Sequence, residues 1–99
     1  MMVAGVNISN ASELDAGAVL NKMKEDERFG YVSGVIEGLA YSRWQRDKPD
    51  QTGMKCIYDW YYKNNSKRWE NTIIPVFEKY QDKPVGAILY VLTKKKCGA

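Results

Sequence analysis

Two cysteines, Cys56 and Cys97, constrain this chain more than any other feature. Cys97 stands third from the end, beside Gly98, where a terminal segment otherwise frays. A cysteine there has little packing to do, and this points to a covalent tie: a Cys56–Cys97 disulfide holding the last helix to the body of the domain. Such a bridge closes a loop of about 40 residues and contributes on the order of 4 kcal/mol in the chain-entropy account. That is a sizeable part of the roughly 5–15 kcal/mol that stabilises a typical domain. The chain has 99 residues, a length that makes one domain with a modest core, the size at which a tie matters. The alternative reading is two free thiols in a cytosolic protein. Zinc would need further ligands from a chain with no histidine, and the two cysteines are not a CxxC pair. A disulfide calls for the periplasm or the extracellular space. The opening residues Met1–Asn7 have neither a basic region nor a long apolar core. An exported form is therefore expected to have had its leader replaced by a start methionine.

Apolar spacing predicts an all-α domain, a small bundle of four or five short helices. Residues 1–11 read as a flexible lead-in and 12–99 as a single helical domain. Ser12 is the expected cap of a first helix reaching about Lys24, with Glu13 and Asp15 in its first turn and Leu14, Ala18, Leu20 and Met23 on its apolar side. A second helix, from about Asp26 to Gln45, carries Val32, Val35, Ile36, Leu39 and Ala40 at the i, i+3, i+4, i+7, i+8 spacing of a buried stripe. Residues 46–54 read as a loop, and 55–62 as either a short helix or an irregular aromatic turn. A third helix spans about Lys67 to Gln81, with Trp69, Ile73, Val76, Phe77 and Tyr80 as its stripe. Pro75 lies within it and either bends it or marks its true start. A fourth runs from about Pro84 to Lys95 on Val85, Ile88, Leu89 and Leu92, with Gly98 as its stop. No stretch approaches the roughly 20 apolar residues that cross a bilayer, so a soluble domain is expected.

Two groups stand out on this frame. Gly30, Gly34 and Gly38 recur every four residues along the second helix. Each weakens a helix by about 1 kcal/mol relative to alanine, so a row of them predicts a smooth groove where another element packs closely. Tyr58, Trp60, Tyr61 and Tyr62 crowd five positions, with Lys67, Arg68 and Trp69 close behind. Tyrosine, tryptophan and arginine are enriched at binding hot spots. These seven residues are therefore candidates for a partner-binding surface. The competing reading buries Trp60 and one tyrosine and leaves the others to shield the disulfide. Stacking on single-stranded nucleic acid uses the same residue types, but it fits poorly with an exported, disulfide-bearing chain.

Enzymatic chemistry is hard to assemble here. Without histidine there is no usual general base near neutral pH and no Ser-His or Cys-His nucleophile. The glycine row lacks the lysine-serine ending of a phosphate-binding loop. Only scattered carboxylates, Asp47 and Asp50 or Glu25, Asp26 and Glu27, are on hand for an acid pair. No catalytic residue, metal or cofactor is expected. Charge is uneven: residues 1–50 carry six basic and eight acidic side chains, residues 51–99 nine basic and four acidic. Lys94, Lys95 and Lys96 account for part of the basic excess by closing the last helix, where cations meet the negative end of its dipole.

The run Gly30-Tyr31-Val32-Ser33-Gly34-Val35-Ile36-Glu37-Gly38-Leu39, then Lys55-Cys56-Ile57, then Tyr80-Gln81-Asp82-Lys83-Pro84 before a helix ending at Cys97, resembles the Rap/Tai type VI secretion immunity family. These are small periplasmic helical proteins with an HdeA-like fold, and the resemblance covers about residues 28–98. It implies a periplasmic, disulfide-tied helical module that is not an enzyme. Its implied partner is another protein, a secreted toxic effector that it binds and blocks, and it implies a homodimer; no nucleic acid and no membrane enter. The chain departs from the pattern at Phe29, where the family often has a further cysteine, and at Ile57-Tyr58-Asp59-Trp60, which replaces a proline-containing turn. The alternative function under the same fold is an HdeA-like acid-stress chaperone. Twelve carboxylates and no histidine set such a transition at low pH, not near pH 6.

Overall fold

The computed structural model describes residues 14–99. The expected lead-in at 1–11 and the Ser12 cap lie outside the described residues. Six helical segments follow: α1 (Ala16–Lys22), α2 (Glu25–Asp47), α3 (Thr52–Tyr62), α4 (Asn65–Arg68), α5 (Ile74–Lys79) and α6 (Val85–Cys97). A π-helical turn, Trp69–Ile73, joins α4 to α5 with helical backbone at both joints, so the three make one rod. The described residues thus form five rods and no strand, an all-α fold, with Cys56 and Cys97 joined in a disulfide across Cα atoms 5.8 Å apart.

Helix α2 is the spine. It packs on α3, α6 covers both, and α1 lies on α5. Val32, Ile36 and Ala40 of the expected stripe are buried, with Val35 and Leu39 packed at its margin. Ile73 and Phe77 from the third rod, and Val85, Ile88 and Leu89 from α6, complete one core with Ile57, Trp60 and Tyr61. Burying each large side chain stabilises the fold by about 1.5–3 kcal/mol. Tyr80, expected in the third stripe, is exposed instead.

Several boundaries differ from expectation for local reasons. Asp15, not a residue of the first turn, caps α1: its carboxylate accepts from the Ala18 amide at 2.9 Å. The next free amides, at Ala16 and Gly17, donate to the Lys83 and Gln81 carbonyls at 3.0 and 2.9 Å. This docking buries Ala16 and Val19 and leaves Leu14, Ala18, Leu20 and Met23 only partly covered. The loop after α2 is shorter than residues 46–54, because Asp50 accepts from the Thr52 amide at 2.9 Å and starts α3 at once. Residues 55–62 are helical. Pro75 is the second residue of α5, in its first turn directly after the π turn, close to the start that the sequence offered as one alternative. A proline ring strikes the carbonyl four residues back, here Asn71, and leaves it without a donor. The π turn falls on that carbonyl, with the Ile74 amide donating five residues back to Trp69. Gly98 ends α6 with φ 84°, as expected of a glycine stop.

The glycine row does not pack. Gly30, Gly34 and Gly38 are exposed, and a Cβ on any of them would meet nothing within 4 Å. The close approach occurs at Gly53, where a Cβ would collide with the Arg43 guanidinium. Sequence spacing singles out the helix with most glycines; tertiary contact selects Gly53 and, less tightly, Gly17, whose Cβ would press on Gln81.

Candidate protein-binding groove

Tyr61 shows why the aromatic cluster is built as it is. Its side chain is fully buried. Its hydroxyl pairs with Ser33 Oγ of α2 at 2.8 Å and accepts from Trp69 Nε1 of the π turn at 3.3 Å. The Phe29 ring stacks on it with centroids 6.2 Å apart. One buried phenol therefore holds together α2, α3 and the π turn, and places Phe29 and Trp69 on opposite sides of a gap.

That gap is a groove of about 750 Å³ between the first turns of α2 and the α4–π–α5 rod. Phe29, Trp69 and Ile74 give it an apolar lining; Glu25, Asp26 and Glu70 stand along it as acids, and Arg28 is the one cation among its lining residues. Arg28 Nε is buried without a hydrogen-bond partner. Phe29 is 43 % exposed, unusual for a phenylalanine in so small a fold. The π turn supplies Trp69 and Glu70, and such turns recur at functional sites.

Of the seven residues expected at a partner surface, Trp69 alone lines this groove. Trp60 and Tyr61 are buried and offer no face to a partner, a correction with a plain cause: α3 turns both toward α2 and the third rod. Arg68 is tied down, donating from Nε to the Trp60 carbonyl at 2.7 Å with its guanidinium 4.9 Å from the Trp60 ring. Tyr58 and Tyr62 donate to the two oxygens of Glu37 at 2.8 and 3.0 Å. The Glu37 hydrogen bond raises the Tyr58 pKa, whereas burial and then Glu37 raise that of Tyr62. Both phenols stay protonated at neutral pH and brace α3 on α2. Lys67 points to solvent. Arg28, Phe29, Asn65, Ser66, Glu70 and Ile74 are groove residues that sequence reasoning missed. Phe29 extends the Val32–Ile36–Ala40 stripe by one turn, and that spacing was the available signal.

The other end of α2 carries the second crevice, about 110 Å³, beside Tyr90 and Lys94. Its two arginines are occupied. Arg43 donates from Nε to Asp47 at 2.6 Å and from its two terminal nitrogens to the Gly98 and Cys97 carbonyls at 3.0 and 3.2 Å. Arg46 donates to Asp47 at 2.9 Å and to the Ala99 carbonyl at 3.0 Å. Hydrogen bonds from Arg46 and Arg43 lower the Asp47 pKa, and that of Asp50 is lowered by the Thr52 amide. Four of the five carboxylates considered for acid chemistry have structural partners: Asp47 the two arginines, Asp50 the start of α3, Glu27 the Lys24 amide at 2.8 Å and Asp26 the Glu27 amide at 2.9 Å.

Among the described residues no cluster of three or more histidine, cysteine or carboxylate side chains is placed to hold a metal ion, and no helix is long and apolar enough to cross a membrane. Fold and site define a small all-α domain, tied by one disulfide, with one open aromatic groove. No protein-family model, curated protein or solved structure matches this chain.

Proposed function

We propose that this chain is a non-enzymatic protein-binding module of an oxidising compartment, the periplasm, and that it acts as an immunity protein by occupying a secreted effector enzyme. One observation carries the reading: an apolar groove whose two aromatic walls, Phe29 and Trp69, are both held by a buried residue, Tyr61. A surface fixed in advance loses little entropy on binding, and aromatic anchors supply most of the energy in such contacts. The immunity role and the HdeA-like fold rest on the resemblance in residues 28–98. The test is co-purification from periplasmic extract, by wild type and by Phe29→Ser, with any captured protein identified by mass. Phe29→Ser gives up its stacking on Tyr61 and is expected to cost about 1–2 kcal/mol, to keep the fold as its melting curve checks, and to lose capture. Equal capture by both proteins rules out the groove.

The acid-chaperone reading draws support from Asp47, which orients both arginines that hold the last carbonyls. Its folded pKa lies below the unfolded one, so its stabilising contribution is complete above the unfolded value of about 3.9 and is lost as pH falls through the folded value. Loosening of the α6 terminus below about pH 4, reported by binding of an apolar dye, supports it. A fold that binds no dye at pH 2–3 excludes it.

A further inference from the structure

Helix α6 is apolar on two sides. Val85, Ile88 and Leu89 face the core. On the outside Ala87, Tyr90, Val91, Lys94 and Lys95 follow the i, i+3, i+4, i+7, i+8 spacing of a second stripe, and all five are exposed. Tyr90 is 52 % and Val91 50 % exposed, well above what an inward-facing role allows. A helix apolar all round is normally covered on both sides. The outer stripe is apolar in its first half and cationic in its second, with Lys94 Nζ 5.8 Å from the Tyr90 ring. The groove is its complement: an apolar lining of Phe29, Trp69 and Ile74 beside Glu25, Asp26 and Glu70.

The two surfaces cannot meet within one molecule. The terminus of α6 is held by Arg43 and Arg46, at the far end of α2 from the groove. From Asp26 to Arg46 is 20 residues of helix, about 30 Å at 1.5 Å per residue. We infer that the outer face of α6 docks in the groove of a second copy of this chain, Tyr90 and Val91 on the aromatic lining and Lys94 and Lys95 facing the acids. This is helix-in-groove recognition with anchors at i, i+1, i+4 and i+5. Because the two patches differ, the contact is head-to-tail and adds molecules in a row; it does not close a symmetric pair. Arg28, the one cation lining the groove, opposes the lysines and keeps the contact weak. The inference rests on the groove being a binding surface, as in the function proposed above, and makes self-assembly a competitor of the effector.

Sedimentation velocity on the purified, oxidised protein tests it. The weight-average mass is expected to rise with concentration at about 20 mM salt and to return to the monomer at about 500 mM, where exposed charges are screened beyond roughly 4 Å. An association constant at least tenfold weaker in high salt is expected. A tail variant, Tyr90→Ser/Lys95→Ser, and a groove variant, Asp26→Asn/Glu70→Gln, each stay monomeric alone. Mixed in equal amounts they form a dimer and stop there, because only one competent contact remains. All four substituted side chains are exposed, and equal helical melting curves check that each variant folds. A wild type that stays monomeric at low salt, a variant that pairs with itself, or a mixture that stays monomeric overturns the inference. Effector capture in extract is scored separately and survives any of these results.

Discussion

At its C-terminal end α2 finishes in a lock: Arg43 and Arg46 share Asp47, reach the last three carbonyls, and sit near the Cys56–Cys97 bridge that fastens α6. At its N-terminal end the same helix leaves Phe29 half exposed above an open groove, with Arg28 Nε lacking a partner and three glycines facing solvent. Polar groups at the first end satisfy one another; at the second they stand around an unfilled apolar space. Stability is concentrated where the chain would fray, and recognition where the fold leaves a gap. The disulfide permits the open end by supplying what a core this small cannot.

The largest way to break that division is to remove the lock. Cys56→Ala/Cys97→Ala is expected to cost about 4 kcal/mol in denaturant unfolding, given a closed loop of 41 residues. Hydrogen exchange should then speed first in α6 and last in the Tyr61 cluster. A loss below about 1 kcal/mol would mean the terminus is held by the arginines instead. The glycine row sharpens the other side. Gly34→Ala/Gly38→Ala should stabilise by roughly 2 kcal/mol, about 1 for each residue, since neither Cβ meets a neighbour. Destabilisation would show that something packs on this face. Smallest is Tyr61→Phe, expected to cost about 1–2 kcal/mol, since it removes two hydrogen bonds, one of them long. It should also loosen the Trp69 indole, visible as faster exchange of its Nε1 proton.

How much of this was legible in the sequence follows from distance along the chain. The stripes Val32–Ile36–Ala40 and Val85–Ile88–Leu89 declare the core because helical burial repeats locally. The bond between Cys56 and Cys97 was legible from position, since a terminal cysteine has little else to do. The groove was not, because Phe29 and Trp69 stand 40 residues apart and meet only through Tyr61. A dense aromatic run looks like a surface in one dimension. In three, α3 buries every third or fourth residue, so Trp60 and Tyr61 turn inward while Tyr62 does not. The glycines misled for the same reason: their spacing says which face they share, and only the tertiary fold says whether that face has a neighbour.

The most direct measurement is site-specific photo-crosslinking in the intact, oxidised protein within the cells that make it. A crosslinking residue is placed at Phe29 in the groove and, as the comparison, at Gln45 on the locked end of α2. The account predicts defined adducts from position 29, identified by mass as another protein or a second copy of this chain, and none from position 45. Adducts from position 45 with none from position 29 would contradict it.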